Sequence, residues 1–248
     1  MGHKPTITDI KERITQARSV TVLTGAGISA DSGVPTFRGA DGLWKNFRPE
    51  ELASPDAFER DPRLVWEWYD WRRELLSTKT PNAAHEALVE LEKRIADFWL
   101  ITQNVDGLHR TAGSTQVSEI HGNIWKVRCT NCGMVESNHD VPIDILPSCT
   151  SCQGLLRPHI VWFGESLARE DLDASFSALQ NCELLLIIGT SGVVYPAASF
   201  APIAKEHGAF VVELNLDPTP NSDLVDVSFQ GRARDIVPLL VTSSGNRG

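Results

Sequence analysis

The chain contains 248 residues, of which 42% are hydrophobic, and it carries a formal net charge of -9. This length suffices for one large domain or one domain with an insert, and the acidic balance argues against direct binding to nucleic acid. No apolar run approaches the roughly 18 residues that a membrane span requires, and the N-terminus lacks the apolar region of a signal peptide, so we expect no membrane contact and a cytoplasmic location.

Four short apolar runs each end at a turn, and helical patterns separate them. Their sequences are VTVLTG (20–25), FWLITQ (98–103), LLLIIG (184–189) and FVVELN (210–215). Continuous apolar runs are typical of strands buried on both faces of a parallel sheet, and the alternation of strand and helix predicts helices on both sides. We therefore predict an α/β fold with a doubly wound, Rossmann-like parallel sheet.

Two segments interrupt this rhythm and predict a smaller inserted lobe. Residues 38–80 are aromatic and helical, whereas residues 125–157 are rich in turns and contain paired cysteines. We assign the remaining ranges, 1–37, 81–124 and 158–248, to the Rossmann-like domain. Ligands in such folds bind beyond the carboxyl ends of the strands, so the residues that follow each strand are the first candidates for a binding site.

The first strand runs into the glycine-rich turn TGAGIS at residues 24–29. Gly25 and Gly27 permit a tight turn and a close approach of backbone to ligand, and a helix that starts there would offer free N–H groups to a diphosphate. In the dinucleotide fingerprint G-x-G-x-x-G the third glycine comes earlier than Gly33 does here, so the signal for a dehydrogenase is weak. An ordinary strand-to-helix turn is the alternative.

A helix is predicted to start at Asp61 and Pro62, since a capping carboxylate followed by proline is typical of a helix N-terminus. Tyr69 and Arg72 lie three residues apart and therefore point the same way. The pair either decorates a packed helix, with Arg72 bonded to a nearby carboxylate, or binds something acidic. The carboxylates are Glu67 and Asp70, and the predicted apolar stripe comprises Leu64, Trp68, Trp71 and Leu75.

Polar residues follow the second strand. Gln103 and Asn104 can both donate and accept hydrogen bonds, which suits ribose hydroxyls or a carboxamide, and Asp106 can accept from an amide. Ordinary turn residues are the alternative. Further on, His121 lies in the motif EIHGN, where an imidazole could act as a base near neutral pH or could be structural.

The spacing C-x2-C-x16-C-x2-C is typical of a tetrahedral zinc site. Because protein ligands fill all four positions, we expect one structural zinc ion rather than a catalytic one. The ligands are Cys129, Cys132, Cys149 and Cys152.

These motifs, taken in order, resemble the prokaryotic sirtuins, protein lysine deacylases that consume NAD. The motifs are TGAGISADSGVPTFRG (24–39), TQNVDGLH (102–109), EIHG (119–122), the two cysteine pairs and GTS (189–191). The resemblance spans about residues 7–240. It implies that the acyl oxygen of a modified lysine attacks the nicotinamide ribose of NAD and displaces nicotinamide, and that water then completes the release of free lysine and O-acyl-ADP-ribose.

The resemblance implies roles for individual residues. His121 would be the catalytic base, with Asn104 as a second catalytic residue, Gln103 would hold the ribose with Asn104, and Asp106 would grip the carboxamide. Ala233, in QGRAR, would offer a backbone amide to adenine. The other NAD contacts would be Gly25, Ala26, Gly27, Ile28, Ala30, Phe37, Arg38, Trp44, Val105, Gly189, Thr190, Ser191, Asn215, Leu216 and Asp217.

The substrate peptide would lie between HIVWFGE (159–165) and GVVYPAA (192–198), bound through its backbone. Tyr69 and Arg72 resemble the pair of class III sirtuins, which remove succinyl or malonyl groups, because a buried acyl carboxylate needs a paired charge. Ala40 would leave room for a longer acyl chain. The other substrate contacts would be Val161, Phe163, Gly164, Glu165 and Val193.

The main hypothesis is thus an NAD-dependent lysine deacylase that removes acetyl and succinyl or malonyl groups from acylated-lysine peptides and proteins. The alternatives are a deacetylase without acidic-acyl preference, a mono-ADP-ribosyltransferase, a non-catalytic NAD sensor and a dehydrogenase. The presence of Asn104, Asp106 and His121 argues against the sensor. We expect a monomer or a weak oligomer.

Overall fold

A computed structural model describes residues 5–36 and 49–241 of the protein. The strands are β1 (Ser19–Thr24), β2 (Asp97–Thr102), β3 (Val117–Glu119), β4 (Gly122–Cys129), β5 (Val135–Ser137), β6 (Leu156–Ile160), β7 (Leu184–Ile188), β8 (Phe210–Asn215) and β9 (Val227–Gln230). The helices are α1 (Ile7–Gln16), α2 (Ala26–Ser29), α3 (Pro49–Leu52), α4 (Pro55–Arg60), α5 (Pro62–Ser77), α6 (Ala83–Arg94), α7 (Leu108–Ala112), α8 (Arg169–Asn181), α9 (Phe200–Glu206) and α10 (Ala233–Val241).

The larger sheet has six parallel strands in the order β3-β2-β1-β7-β8-β9. All four predicted strands are confirmed as β1, β2, β7 and β8, and their order confirms the doubly wound fold. The chain leaves β1 toward one edge and returns at β7 toward the other, so the topological switch point lies between these two strands.

Helices cover both faces of this sheet. On one face, apolar side chains from α1, α6 and α10, such as Ile10, Leu88 and Val237, pack against the strands in one core. On the other face, Leu179 of α8 and Phe200 of α9 belong to a second core. Helix α6 contributes Ala84, Leu88 and Leu91 to the first of these cores, and Ile95, directly after the helix, is also buried there. Helix α9 is followed by Gly208, whose φ of 92° lies in the left-handed region that favours glycine.

The smaller sheet is antiparallel, in the order β5-β4-β6. It shares a third core with the aromatic helices, in which Trp66 and Tyr69 of α5 pack with Val127 and Leu156 of the sheet. This arrangement is the predicted smaller lobe; the exact division of the chain at residues 38, 81, 125 and 158 stays a prediction. Phe37, Arg38, Ala40 and Trp44 lie outside the described residues.

Helix α5 begins as predicted, because the Asp61 side chain accepts a hydrogen bond from the Leu64 N–H at 3.0 Å and Pro62 follows. The predicted apolar stripe is wrong in part: Leu64 is 43% and Trp71 46% exposed. The buried face is rotated by about one residue because the small sheet offers Trp66 an acceptor, the Leu156 carbonyl, at 2.9 Å. That face consists of Val65, Trp66, Trp68, Tyr69, Arg72, Arg73 and Leu76.

Within the ranges 5–36 and 49–241, no helix has both the length and the apolar character that a membrane crossing requires.

Candidate functional site

A cleft of about 1260 Å³ opens at the carboxyl ends of β1, β7 and β8, where the strand order reverses. It extends from the glycine-rich turn after β1 to the small lobe. The predicted NAD-contact residues on its wall are Gly25, Ala26, Gly27, Ala30, Gln103, Asn104, Val105, Gly189, Thr190, Ser191, Asn215, Leu216, Asp217 and Ala233. Ile28 is fully buried in the core beneath the turn instead.

Two backbone turns touch at the floor of this cleft. The Gly27 N–H donates to the Gly189 carbonyl at 2.9 Å, and the Gly25 N–H donates to the Ile188 carbonyl at 3.0 Å. A Cβ atom on Gly27 would lie 2.6 Å from the Gly189 Cα, closer than real side chains approach. The glycines are therefore required by this contact between the turns after β1 and β7, and together the turns form a backbone surface against which a ligand can lie.

Asn104 is held at the cleft by bonds to both its side chain and its backbone. Its Nδ2 donates to the Gly25 carbonyl at 3.1 Å and to the Ser29 hydroxyl at 3.2 Å. Its backbone N–H donates to the Thr102 hydroxyl at 3.1 Å. Because the side-chain nitrogen of Asn104 donates both of these bonds to the protein, the side chain has a fixed orientation before any ligand binds.

Two buried histidines support this region from behind. His85 Nε2 lies 3.4 Å from the Ser29 hydroxyl, and His109 Nε2 lies 2.9 Å from the Thr24 hydroxyl. Burial lowers the pKa of His85 from 6.5 to about 4, and burial together with the neighbouring His85 lowers the pKa of His109 well below its ordinary value. Both rings are therefore neutral at pH 7. His109 is a buried structural histidine that bonds to Thr24.

Asp106 does not line the large cleft. It borders a small adjoining cavity of about 20 Å³, together with Ala26, Arg72 and Asn104. Its Oδ1 accepts from the Leu108 N–H at 2.9 Å, and burial raises the pKa of this carboxyl while that bond lowers it. The buried Asp106 carboxyl can therefore accept a hydrogen bond from a group that enters this small cavity beside the glycine-rich turn.

His121 follows β3 and lies on the wall of the cleft. Its Nδ1 is 3.0 Å from the Gln103 carbonyl oxygen, and because a carbonyl can only accept, Nδ1 must carry the proton. The Nε2 atom is therefore the proton acceptor of the ring. Burial lowers the pKa of His121 and the bond to Gln103 partly opposes this, so the imidazole is neutral and basic at neutral pH.

Tyr69 and Arg72 also line the cleft that His121 lines. Both are buried, with 0% of Tyr69 and 4% of Arg72 exposed. The guanidinium carbon of Arg72 lies 4.8 Å from the centre of the Trp68 ring and 5.5 Å from that of Tyr69. Burial lowers the pKa of Arg72, opposed by Tyr69 and Asp106. Burial also raises the pKa of Tyr69, so the phenol is a neutral hydrogen-bond donor and acceptor beside a cation.

The carboxylates near Arg72 in sequence have other partners. Glu67 forms an ion pair with Arg63 at 3.7 Å, and Asp70 accepts from the Ile143 N–H at 2.8 Å. The neighbouring Arg73 faces the small sheet, where it donates to the Ile124 carbonyl at 3.0 Å. Of the two adjacent arginines, Arg73 is structural and Arg72 faces the cleft.

The segment after β6 forms the opposite wall, with Val161, Phe163, Gly164 and Glu165 on the cleft. The Val161 N–H donates to the His121 carbonyl at 2.9 Å. Glu165 is fully engaged by the protein, since it forms a two-pronged ion pair with Arg157 at 2.6 and 2.9 Å. Val193 is 40% exposed and is not part of the wall, whereas its neighbours Val194 and Tyr195 are.

The four paired cysteines form a cluster whose sulfur atoms all lie within 4.8 Å of one another. The Cys129 and Cys152 sulfurs are 3.5 Å apart and those of Cys132 and Cys149 are 3.7 Å apart. A tetrahedral zinc site with bonds of about 2.3 Å separates its sulfurs by about 3.8 Å. This sulfur cluster therefore fits one zinc ion, and its residues are not part of the cleft wall.

Some residues of the site were not predicted from the sequence. Ser29 accepts from Asn104, and Trp162 donates to Tyr69 at 2.9 Å. Asp31 and Arg232 lie on the cleft wall and are joined at 2.8 Å. All four stand inside motifs quoted above, so their neighbours in those motifs could have suggested them. Ser29 and Asp31 lie in TGAGISADSGVPTFRG, Trp162 lies in HIVWFGE, and Arg232 lies in QGRAR.

Comparison with known proteins gives a consistent result. The sequence model of the Sir2 family matches residues 25–196. The NAD-dependent protein deacylase of Aquifex aeolicus is 52% identical and covers 87% of this chain and 90% of its own. A crystal structure of a Sir2 homologue in complex with NAD superposes with a TM-score of 0.90 at 44% identity, covering 97% of this chain and 95% of that one.

A structure of Sir2 with a deacetylated p53 peptide and 3'-O-acetyl ADP-ribose superposes with a TM-score of 0.84 at 32% identity. The match covers 95% of this chain and 97% of that one.

Proposed function

Since this chain belongs to the Sir2 family, the sirtuins, we propose that it is an NAD-dependent protein lysine deacylase that removes acidic acyl groups, succinyl or malonyl, as well as acetyl. The observation that carries the proposal is that one cleft contains the glycine-rich turn, the basic nitrogen of His121 and the buried pair Tyr69–Arg72. The family fixes the reaction class, and the pair supports the acyl preference.

NAD supplies an electrophilic ribose carbon and a nicotinamide leaving group. The turns after β1 and β7, which Gly27 and Gly189 bring together, would hold its diphosphate. Gln103 and Asn104 would bind the ribose hydroxyls, and Asp106, in the small cavity, would accept from the carboxamide. Thr190, Asn215 and Ala233, which also line the cleft, would contact the adenosine half.

His121 acts as the general base of the reaction. Its Nε2 takes the proton of a ribose hydroxyl, while the Nδ1 proton stays bonded to the Gln103 carbonyl. That bond fixes both the tautomer and the direction of the ring. Because the base is neutral before it reacts, it is ready at neutral pH.

The acylated lysine enters between the segments 161–165 and 192–195, whose exposed apolar residues include Phe163 and Tyr195. The acyl group extends toward Tyr69 and Arg72. A guanidinium can make two parallel bonds to a carboxylate, and a phenol can add a third. Burial strengthens these bonds, and an arriving carboxylate offsets the cost of the buried cation.

The sulfur cluster would hold one zinc ion with all four positions filled by protein. A zinc ion held there would link the two cysteine pairs, and the four sulfurs would leave it no open coordination position. Backbone N–H groups of Asn131 and Cys132 point to the Cys129 sulfur at 3.4 and 3.5 Å, which favours the thiolate form that binds metal.

The test compares one peptide carrying acetyl-, succinyl- or malonyl-lysine, with NAD, for wild type and two variants. Arg72→Met should lower kcat/KM for the acidic substrates relative to acetyl by about 10- to 100-fold, the value of one or two charge-assisted bonds. Tyr69→Phe should have a smaller effect in the same direction. Arg63→Met, on the exposed side of α5, is the matched control and should leave the ratio unchanged.

A neutral substrate separates charge from size. Succinamoyl-lysine, in which a carboxamide replaces the terminal carboxylate, should be a poor substrate for wild type and should be much less affected by Arg72→Met than the succinyl peptide. If Arg72→Met lowers kcat/KM equally for all acyl groups, the protein is a deacetylase without acidic-acyl preference.

Mass spectrometry of the reacted peptide tests the remaining alternative, a mono-ADP-ribosyltransferase. It distinguishes the loss of an acyl group from the gain of ADP-ribose.

The sequence-based expectations of a monomer or weak oligomer, of no nucleic-acid partner and of a cytoplasmic location stay predictions.

A further inference from the structure

The Tyr69 hydroxyl has a fixed hydrogen-bond polarity. The Trp162 indole nitrogen lies 2.9 Å from the Tyr69 oxygen, and an indole N–H can only donate. The Arg72 guanidinium, whose carbon lies 5.5 Å from the centre of the Tyr69 ring, is likewise only a donor. The phenol oxygen therefore accepts from Trp162, and its own proton cannot be accepted by either neighbour.

The phenol proton is left for a ligand. Among the hydrogen bonds of the described residues, none has the Tyr69 hydroxyl as donor to a protein acceptor. Tyr69 and Arg72 both lie on the wall of the cleft where the acyl group is expected. The remaining direction for the O–H bond is thus toward that space, where a carboxylate oxygen would be a suitable acceptor.

Trp162 is held rigidly enough to impose this polarity. Its backbone N–H donates to Glu165 at 2.8 Å, and the guanidinium carbon of Arg157 lies 3.3 Å from the centre of its ring. The Phe58 ring packs against it at 5.3 Å, and the residue is only 2% exposed. These contacts with Glu165, Arg157 and Phe58 hold the indole in one orientation.

We propose that Trp162 is a specificity-determining positioning residue, whose indole N–H occupies the Tyr69 oxygen and thereby directs the phenol proton to an acyl carboxylate. This inference rests on the proposed acidic-acyl activity. A phenylalanine at position 162 would keep an aromatic ring in the same core but would lack the N–H. The phenol could then rotate, and part of its bond to the carboxylate would be lost.

The experiment measures kcat and KM for succinyl- and acetyl-lysine versions of one peptide. Trp162→Phe should lower the succinyl-to-acetyl ratio of kcat/KM about 3- to 10-fold, the value of one hydrogen bond, mainly through a higher KM for the succinyl peptide. In a Tyr69→Phe background the same change should have no further effect on the ratio, because both residues act through one hydroxyl.

Trp66→Phe is the matched control. Trp66 is a fully buried tryptophan of the same core, and its indole donates to the Leu156 carbonyl at 2.9 Å rather than to Tyr69. Its loss should leave the ratio as in wild type, whatever it does to thermal stability. An equal fall in Trp66→Phe, or additive effects of Trp162→Phe and Tyr69→Phe, would overturn the proposal.

A measurement without any change at position 162 covers the case in which that variant does not fold. In proton–nitrogen spectra of the wild type, the indole N–H signal that shifts in Tyr69→Phe should also shift when the succinyl peptide binds, and less with the acetyl peptide. If the signal that shifts in Tyr69→Phe is not the one that shifts on binding of the succinyl peptide, the inference is contradicted.

The kinetic results distinguish failure of the proposed function from failure of this inference. If Arg72→Met leaves the succinyl-to-acetyl ratio of kcat/KM unchanged, the acidic-acyl function fails. If Arg72→Met lowers that ratio and Trp162→Phe does not, only the inference about Trp162 fails.

Discussion

At the scale of single residues, the chemistry of the cleft depends on which atoms the backbone has already engaged. The Gln103 carbonyl fixes the proton of His121 on Nδ1, and the Gly25 carbonyl accepts a hydrogen bond from the Asn104 side-chain amide. Each bond leaves one defined polar group for the ligand. Reactivity here is thus set by hydrogen bonds to main-chain atoms of neighbouring turns.

The role of His121 leads to a kinetic prediction. His121→Ala should lower kcat for deacylation about 100- to 10,000-fold, the usual contribution of a general base, while calorimetry shows NAD binding within a few-fold of wild type. Because burial lowers the pKa of His121 below 6.5, the acid limb of the wild-type pH–rate profile should fall below pH 6.5. An acid limb clearly above that value, or full activity of the alanine variant, would refute the assigned role.

At the scale of elements, the small sheet connects the sulfur cluster to the cleft. Strand β4 begins at Gly122, next to His121, and ends at Cys129, and it pairs with β6, which leads directly to Val161. Disorder at the cysteine end would therefore reach both His121, the proposed base, and the segment proposed to bind the peptide. We expect zinc to stabilise the site through this strand pair rather than through the reaction.

Metal removal tests this connection. A strong chelator should abolish most deacylase activity and lower the melting temperature by roughly 10 °C or more, since a structural zinc contributes several kcal/mol. Both zinc and cadmium should restore activity to a similar level, because each satisfies four thiolates in a tetrahedron. Activity that depends strongly on which ion is added would instead indicate a chemical role for the metal.

At the scale of the whole molecule, the binding cleft is built over a polar layer inside the larger domain. The neutral rings of His85 and His109 lie 4.8 Å apart and bond to hydroxyls beneath the glycine-rich turn. They come from α6 and α7, so this layer joins helices to the strands that carry the site. A proton added to either ring would place a positive charge in the buried layer, next to the other ring.

This layer predicts acid sensitivity of the fold. Between pH 6.5 and about 4, unfolded His85 binds a proton that the folded protein excludes, so stability is present above pH 6.5 and is lost as the pH falls. The loss from this group should be about 3 kcal/mol at pH 4. Urea unfolding of wild type and His85→Gln at pH 7, 6, 5 and 4 measures it.

The quantity to compare is the difference between the two proteins, because acid also releases zinc from both. Glutamine keeps an acceptor for the Asn82 N–H, which bonds to His85 at 3.3 Å, but it does not titrate. The variant should therefore lose less stability on acidification. Parallel curves for the two proteins would show that His85 is not the source.

The sequence by itself determined the features that depend on neighbours in the chain. The four buried strands follow from local apolar runs, the start of α5 from Asp61 and Pro62, and the zinc-binding pattern from two close cysteine pairs. The glycines of the turn were identifiable from their motif, although the reason for them, the contact with Gly189, was not.

Only the tertiary structure decided which side chains meet. The buried face of α5 depends on acceptors that the small sheet provides, so Leu64 and Trp71 were wrongly grouped with Trp68. Trp162 reaches Tyr69 across 93 positions of sequence, and Asp106 turns into a separate small cavity. Local patterns define the elements, but the polarity and partners of a site arise from packing between elements that are distant in the chain.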